Sequence, residues 1–179
     1  MTSLPAVEMP LCLALNRWGA HSLVHGFFAT ISRLGDGIFW YALMAALALA
    51  GGARGAAAAL HLAVTGLIAL ALYRVLKRHI RRPCPCEGNQ GVVALVAPLD
   101  RFSFPSGHTL HAVAFTVVAC AWFPSLGIAL TPFALLIALS RVVLGLHYPS
   151  DVLAAVAIGL LLGTGSLAGA EHLGIGAGS

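Results

Sequence analysis

The chain has 179 residues, of which 59% are hydrophobic and only 9% are charged, with a formal net charge of +4 and a mean hydropathy of +0.92. A soluble domain of this length does not bury so much apolar surface in one core, so the composition excludes a soluble globular protein and indicates an integral membrane protein. The length suits a single membrane-embedded domain over residues 1–179, because five or six spans of about 20 residues each leave little room for a second one.

The first apolar segment, at residues 11–33, predicts a helix that lies in the membrane interface. Three polar residues recur every four positions along it and share one helical face: Arg17, His21 and His25. Trp18 and Phe27 supply the apolar surface of an amphipathic helix. A sixth span over the same residues is the alternative. Because Glu8 precedes the segment and charges interrupt it, we do not expect a cleaved signal peptide.

Five further segments have the composition and approximate length of membrane-spanning helices. They lie at about residues 36–52, 55–73, 107–123, 126–140 and 151–167. Small residues in the second and fifth of these spans allow close helix pairing but do not indicate an oligomeric state. Residues 170–179 are expected to form a flexible tail. The predicted fold is an all-α, polytopic membrane helix bundle with five spans and an N-terminal interfacial helix.

A charged, proline-containing loop at residues 74–106 separates the second span from the third. Its charges and prolines do not fit in hydrocarbon, and long structured loops are often functional. Cys84 and Cys86 flank Pro85 within it. Two cysteines one residue apart rarely pair, and no second cysteine pair completes a zinc site, so we expect neither a disulfide nor a bound metal.

Three polar segments interrupt the spans and are predicted to meet on one face of the membrane. They are the basic run at 77–85, the sequence FPSGH at 104–108 and the sequence SRVVLGLHYPSD at 140–151. Alternating crossings put the end of the second span, the start of the third, the end of the fourth and the start of the fifth on the same face. Only the crossings between the segments matter, so the result holds with five or six spans. Ionisable residues in such apolar surroundings indicate a functional site.

The residues at this face suit an anion with several oxygens, and phosphate is the best candidate. Five cationic side chains crowd together there: Lys77, Arg78, Arg81, Arg82 and Arg141. Ser106 and Gly107 begin the third span, where backbone N–H groups can hold an oxyanion. Asp151 follows His147 by four residues and can accept its ring N–H, which prepares the other nitrogen as a nucleophile or general base. His108 can then protonate a leaving oxygen.

These segments together resemble the type 2 phosphatidic acid phosphatase family, the membrane relatives of the vanadium haloperoxidases. The similarity covers residues 70–155 and includes KRHIRRPCP, PSGH and the pattern Ser-Arg, five residues, His, three residues, Asp. It implies that His147 attacks phosphorus to form a phosphohistidine, that His108 is the acid and that Asp151 orients the nucleophile. The phosphate-holding residues that it implies are Lys77, Ser106, Gly107 and Arg141. No metal or other cofactor is needed, because the cationic side chains supply the electrostatic stabilisation.

The first motif departs from the family pattern. The family form, Lys, six residues, Arg, Pro, places Cys84 and Pro85 where the Arg-Pro pair belongs when counted from Lys77. A neutral thiol does not replace a guanidinium group. Arg82 lies two residues earlier and is our candidate for a phosphate-binding residue that supplies the missing charge. If it does not, phosphate binding is weak or activity is lost.

The expected function is a lipid phosphatase that hydrolyses a lipid phosphate monoester or an isoprenoid diphosphate. A site between spans meets substrates whose tails stay in the bilayer, and undecaprenyl diphosphate, phosphatidic acid and phosphatidylglycerophosphate present the same phosphate to it. Two alternatives are a phosphotransferase with a lipid acceptor, and a non-catalytic binder or carrier of anionic headgroups. No nucleic-acid partner is expected.

The orientation in the membrane has two opposing indications. Nine of the ten lysines and arginines lie on the site face and Arg54 alone lies on the other, which by the positive-inside rule places the site in the cytoplasm. The resemblance instead implies a bacterial cytoplasmic membrane with the site facing outward. Because several of the site-face charges are catalytic, we expect the outward orientation.

Overall fold

The computed structural model describes residues 4–87, 91–98 and 100–176 of the chain. Within those residues it contains seven α-helices and no β-strand, apart from an isolated bridge between Pro83 and Phe102. The helices are α1 (Leu4–Gly19), α2 (Ser22–Arg33), α3 (Phe39–Ala50), α4 (Gly52–Ile80), α5 (Gly107–Trp122), α6 (Gly127–Val143) and α7 (Pro149–His172). The prediction of an all-α fold is confirmed.

Four helical stretches are long and apolar enough to cross a membrane, judged by length and composition. They are Ser22–Ala50, Gly52–Ile80, Pro124–Val143 and Pro149–His172. α5 is also apolar but has only 16 residues. These stretches support an integral membrane protein, and the count of five spans stays a prediction.

The N-terminal region, predicted as one interfacial helix over 11–33, consists of two helices. α1 ends at Gly19, and α2 begins after a two-residue turn. A Cβ on Gly19 would lie 2.7 Å from Cγ1 of Val143, so glycine lets the end of α1 pack closely on the end of α6. The Asn16 amide fastens α1 to the loop before α5, since it donates to and accepts from the backbone of Val93 at 2.9 Å in each case.

A kink separates α2 from α3. A π-helical turn at Leu34–Ile38 joins the two helices, and Gly37 within it has a φ of 121°, which residues with a side chain rarely adopt. The stretch Ser22–Ala50 therefore bends in its middle. The bend places Asp36 against His108, at the start of α5.

Two helices extend further than the sequence predicts. α4 continues to Ile80, so the first residues of the loop predicted at 74–106 are helical. Three basic residues lie in the last turn of this extension, where the helix dipole favours positive charge: Lys77, Arg78 and His79. α7 continues to His172, so the flexible tail predicted at 170–179 begins inside a helix, and its last residues, 177–179, lie outside the described residues.

Cys84 and Cys86 form a disulfide, so the prediction that they stay unpaired is wrong. A 3-10 turn at Pro85–Glu87 curls the chain here. The turn brings the two Cα atoms to 5.1 Å, inside the range that a disulfide needs, whereas an extended chain would separate them by roughly 7 Å.

α5 lies at the centre of the bundle and packs against α4, α6 and α7. Its apolar side joins a core built from large side chains: Trp40, Leu62, Phe115, Trp122, Leu130 and Ile137. α7 approaches α5 closely through Gly159 and Gly163. A Cβ on Gly159 would lie 2.9 Å from the carbonyl oxygen of Leu110, and one on Gly163 would lie 2.8 Å from Cβ of Val117. This spacing of small residues brings helix backbones together and fixes the first turn of α5 beside the start of α7.

Candidate active site

One end of the bundle gathers the residues that the sequence predicts to act together. Lys77 lies in the last turn of α4, Gly107 and His108 begin α5, Arg141 lies in the last turn of α6, and His147 lies just before α7. A narrow cavity is lined by Gly107, His108, Arg141 and His147. A larger cavity of about 890 Å³ is lined by Lys77, Gly107 and His108. The two cavities adjoin, because Gly107 and His108 line both.

His147 is buried, and a single hydrogen bond decides its tautomer. Its Nδ1 lies 2.5 Å from the carbonyl oxygen of Ser103. A carbonyl oxygen only accepts, so Nδ1 carries the hydrogen and Nε2 keeps its lone pair while the ring is neutral. Burial, helped by the positive charges of Arg141 and Lys77, lowers the pKa of His147 well below its ordinary value. The ring is therefore neutral near pH 7 and has one nitrogen free to attack.

A tight turn after α6 positions this histidine. The backbone N–H groups of Leu146 and His147 both donate to the carbonyl oxygen of Arg141 at 3.1 Å. Gly145 has a φ of 76°, and a Cβ there would lie 2.6 Å from the carbonyl oxygen of Val93. The turn therefore needs glycine at this position, both for its backbone conformation and for the space that the neighbouring loop leaves.

Asp151 supports the same loop, but through a different contact from the one predicted. Its Oδ2 accepts the backbone N–H of Tyr148 at 2.9 Å and lies 4.0 Å from Nδ1 of His147. The ring N–H of His147 donates to Ser103 instead. The reason is that Asp151 is the third residue of α7, where a carboxylate caps the start of a helix. Asp151 thus fixes the backbone next to the histidine and does not bind its ring.

Arg82, the predicted source of the missing positive charge, lines neither cavity, contrary to the prediction. Its guanidinium lies 2.6 Å from the Asp151 carboxylate and 3.0 Å from that of Glu8. It also lies over the ring of Tyr148, 4.0 Å from the centroid. Two carboxylates and an aromatic face hold Arg82 away from the cavities. Glu8, which sequence reasoning did not identify, also accepts the backbone N–H of Ser150 at 2.8 Å.

Ser106 and Gly107 have different positions relative to the site. Ser106 is fully buried and lines neither cavity, and its hydroxyl lies 3.0 Å from that of Thr109 instead of capping a backbone N–H of the helix. Gly107 lines both cavities. A Cβ on Gly107 would lie 2.8 Å from the ring of Tyr73, so the absence of a side chain lets α4 and α5 approach at the site.

Arg141 lines the narrow cavity and carries a buried donor without a partner in the described part of the chain. The residue is only 4% exposed, and its Nη1 donates to the hydroxyl of Ser32 in α2. Its Nε–H has no hydrogen-bond partner among the described residues. A buried N–H group without a partner costs free energy. An oxyanion that reached this group from the narrow cavity, which His108, His147 and the Asp100 carboxylate also line, would remove that cost.

His108 pairs with a carboxylate that sequence reasoning missed. Its Nε2 contacts the carboxylate of Asp36, which comes from the kink between α2 and α3. Both residues line the larger cavity. A signal was available in the sequence, because Asp36 stands between two glycines, Gly35 and Gly37, at the start of an apolar span.

Lys77 pairs with a second carboxylate that sequence reasoning missed. Its Nζ lies 2.7 Å from Oδ2 of Asp100, to which the Tyr73 hydroxyl also donates. Burial raises the pKa of Asp100, but the hydrogen bonds from Lys77 and Tyr73 outweigh it, so the pKa lies below its ordinary value. Asp100 is therefore ionised at neutral pH and holds the ammonium group of Lys77 in the wall of the cavity. Nothing in the sequence distinguishes Asp100 from other loop residues.

The larger cavity is polar at one end and apolar at the other. Its apolar part lies between α3 and α4 and is lined by Trp40, Tyr41, Met44, Leu67, Leu70 and Phe115. Tyr41 and Leu67 are largely exposed, so this part opens sideways from the bundle. The cavity as a whole suits a ligand that has an anionic head and an apolar tail.

The site lies within a region that matches a known family. The sequence model of the PAP2 superfamily matches residues 58–172. The lipid A 1-phosphatase of Rhizobium johnstonii is 36% identical over 92 residues, which cover 49% of this chain and 38% of that protein. The undecaprenyl-diphosphatase BcrC of Bacillus subtilis is 30% identical over 104 residues, which cover 58% of this chain and 53% of that protein. The chain thus spans about half or less of these curated relatives.

A solved structure resembles the fold over most of its length. The crystal structure of LpxE from Aquifex aeolicus superposes with a TM-score of 0.78 at 26% identity, and the match covers 91% of this chain and 96% of that chain. Such coverage extends beyond residues 58–172, so the likeness includes part of the N-terminal helices.

Proposed function

The chain belongs to the PAP2 superfamily, and from this we propose that it is an integral-membrane phosphatase that hydrolyses a lipid phosphate monoester or an isoprenoid diphosphate. Two of its relatives are a lipid A 1-phosphatase and an undecaprenyl-diphosphatase. The observation that carries the proposal is the narrow cavity, where a neutral His147 with one free nitrogen faces His108 and a buried guanidinium with an unsatisfied donor.

Phosphate binding uses groups that surround the junction of the two cavities. Arg141 donates its free Nε–H to one phosphate oxygen, and Lys77 contributes its charge from the wall of the larger cavity. The N-terminus of α5, which begins at Gly107, adds the positive end of a helix dipole. A substrate phosphate competes with Asp100 for the ammonium group of Lys77.

The reaction proceeds in two displacements. Nε2 of His147 attacks phosphorus, the bond to the leaving oxygen breaks, and His108 gives that oxygen its proton. The Ser103 carbonyl, which accepts the Nδ1 hydrogen of His147, stabilises the positive ring of the phosphohistidine. Water then attacks phosphorus, gives a proton to His108 and displaces His147, which releases inorganic phosphate. The charges of Lys77 and Arg141 do the work of a divalent cation, so the reaction is metal-independent.

We also propose that the chain lies in the bacterial cytoplasmic membrane with the site facing outward. The Cys84–Cys86 disulfide lies in the loop between α4 and α5, on the site side of the bundle. Disulfides persist in the periplasm and outside the cell but are rare in the reducing cytosol. This supports the outward orientation against the count of basic residues.

The test of the phosphatase proposal is phosphate release by the protein purified in neutral detergent with a chelator present. The substrates are phosphatidic acid, phosphatidylglycerophosphate and undecaprenyl diphosphate. His147→Asn keeps a donor for the Ser103 carbonyl but removes the nucleophile, so turnover should fall by roughly 10⁴-fold or more. Glu171→Gln, an exposed change at the far end of α7, is the matched control. Full activity in the His147→Asn protein would rule out the mechanism.

A second candidate function, binding without catalysis, is supported by one observation. Cys84, at the position of the family arginine, is held in a disulfide, and Arg82 is held by Glu8 and Asp151. The first motif therefore places Lys77 at the larger cavity, whereas the position of the family arginine contributes no positive charge to either cavity. A binder would release no phosphate from any substrate, and His147→Asn would leave its affinity for the lipid headgroup largely intact.

A further inference from the structure

Three arginines at the mouth of the larger cavity have no part in the mechanism above. Arg74 and Arg78 lie four residues apart on α4, and Arg101 lies in the loop before α5. All three line the larger cavity, and all three are exposed. None forms a salt bridge with a carboxylate in the described part of the chain. We refer to Arg74, Arg78 and Arg101 as the rim arginines.

The positive charge of the rim is not balanced within the cavity. Like charges four residues apart on a helix repel each other, as those of Arg74 and Arg78 do. The described carboxylates that line this cavity are Asp36 and Asp100, and each is already paired with another group of the site. Asp36 contacts His108, while Asp100 is held by Lys77 and by a tyrosine hydroxyl. The carboxylates of the described residues therefore leave the three rim charges to water or to an anionic ligand.

The two cavities show which part of a substrate would meet the rim. His147, the nucleophile, lines the narrow cavity and not the larger one, whereas His108, the acid, lines both. The phosphoryl group under attack must contact His147, and the leaving oxygen must contact His108. The leaving group therefore extends into the larger cavity, towards the rim arginines.

We propose that the rim arginines bind a second phosphoryl group, carried by the leaving group, so that lipids with two phosphoryl groups are better substrates than lipids with one. This rests on the proposed phosphatase function. The reacting phosphoryl group already has Arg141 and Lys77, and guanidinium groups bind further phosphate oxygens through paired hydrogen bonds. In an isoprenoid diphosphate, the terminal phosphoryl group is attacked and the leaving group carries the other one. In a lipid that bears both a phosphate monoester and a phosphodiester, the monoester is attacked and the leaving group carries the phosphodiester.

The experiment compares two substrates that differ in one phosphoryl group. The value of kcat/KM is measured for a prenyl diphosphate and for the prenyl monophosphate of the same chain, in non-ionic detergent without charged lipid. In the double variant Arg74→Ala/Arg78→Ala, the ratio of the diphosphate value to the monophosphate value should fall at least about tenfold, because charge-assisted hydrogen bonds to the second group are lost. Arg101→Ala should lower the same ratio. Arg17→Ala, an exposed arginine of α1 outside both cavities, should not change it.

The outcomes separate this inference from the function on which it rests. If the wild type hydrolyses neither substrate, the phosphatase proposal fails. If it hydrolyses both and the variants leave the ratio unchanged, the rim does not bind a second phosphoryl group. The same variants are also assayed in vesicles that contain phosphatidylglycerol. If they lose activity only there, the rim binds headgroups of neighbouring lipids, which also overturns the inference. Hydrolysis of the monophosphate by each variant shows that the protein is folded.

Discussion

The two histidines of the site have different surroundings, and these suit them to opposite roles. His147 is buried, is neutral near pH 7 and donates to an uncharged carbonyl oxygen. His108 is partly buried as well, but it contacts the carboxylate of Asp36, which offsets part of the cost of a protonated ring. The carboxylate contact distinguishes His108 from His147 and suits it to carry the proton that the leaving oxygen takes up. Asp36 is then a positioning residue, because it acts through His108.

Replacing this carboxylate should slow the reaction in a way that depends on the leaving group. In Asp36→Asn the proton on His108 is less favoured, so kcat on a lipid phosphate should fall about 10²-fold, at the lower end of what a general acid contributes. The loss on p-nitrophenyl phosphate should be much smaller, because nitrophenolate leaves without a proton. Steady-state rates on both substrates measure the difference, with Glu171→Gln as the control carboxylate. Equal losses on the two substrates would show that Asp36 does not act through His108.

Sequence reasoning found the residues that lie inside short motifs and missed those that reach the site from elsewhere. His108, Arg141 and His147 stand out because ionisable side chains are rare beside apolar spans. Asp36 is 72 residues from its partner His108, and only the tertiary fold brings the two together. The same reason explains why the predicted partner of the His147 ring was wrong, since a backbone carbonyl carries no signal in the sequence.

At the scale of helices, the site depends on how closely α7 approaches α5. The loop that carries His147 leads directly into α7, and His108 belongs to the first turn of α5. Gly159 and Gly163 allow the two backbones to pack closely. A change in this contact should therefore move the two histidines relative to each other, although neither glycine lies near the cavities.

Adding one methyl group at this contact should reduce stability. In Gly159→Ala the new Cβ would lie 2.9 Å from a backbone oxygen of Leu110, which is too close for a carbon atom. We expect a loss of about 1–3 kcal/mol, the usual cost of overpacking, and a lower apparent Tm in detergent. Gly165→Ala is the matched control, because no atom of the described residues lies within 4 Å of a Cβ there, and its Tm should not fall. Equal melting of the two variants would mean that the contact between α5 and α7 is not tight.

The helices were predictable to the extent that hydropathy alone determines them. The apolar segments after residue 36 correspond to α3 through α7, because long charge-free runs leave few alternatives. The break between α1 and α2 was not predicted, and it lies where Gly19 packs against Val143, a contact that the sequence does not reveal. The disulfide was missed because the spacing of Cys84 and Cys86 does not reveal the turn that Pro85 makes.

At the scale of the whole molecule, counting crossings was enough to bring distant segments together. Lys77, His108, Arg141 and His147 line two adjoining cavities although they come from four parts of the chain. The same counting places the turn between α3 and α4 at the opposite end. Arg54, in the first turn of α4, donates to the carbonyl oxygen of Trp122, the last residue of α5, whose first residue lies at the site.

The two ends of the bundle can therefore report which way the protein faces. Ala20 lies between α1 and α2 at the site end, Ala53 lies at the opposite end, and both are exposed. Single cysteines at these positions are introduced with the two free cysteines, Cys12 and Cys120, changed to alanine. With the site facing outward, a membrane-impermeant maleimide should label Ala20→Cys in intact cells and Ala53→Cys only after the membrane is opened.

The opposite labelling pattern would have consequences beyond orientation. If Ala53→Cys reacts in intact cells, the site faces the cytoplasm, as the count of basic residues indicates. The Cys84–Cys86 disulfide would then lie in a reducing compartment and would be open in the cell. The loop between α4 and α5 would lose the cross-link that lies a few residues after Lys77. Assaying phosphate release with and without a reductant would then show which form of the loop holds Lys77 in place for catalysis.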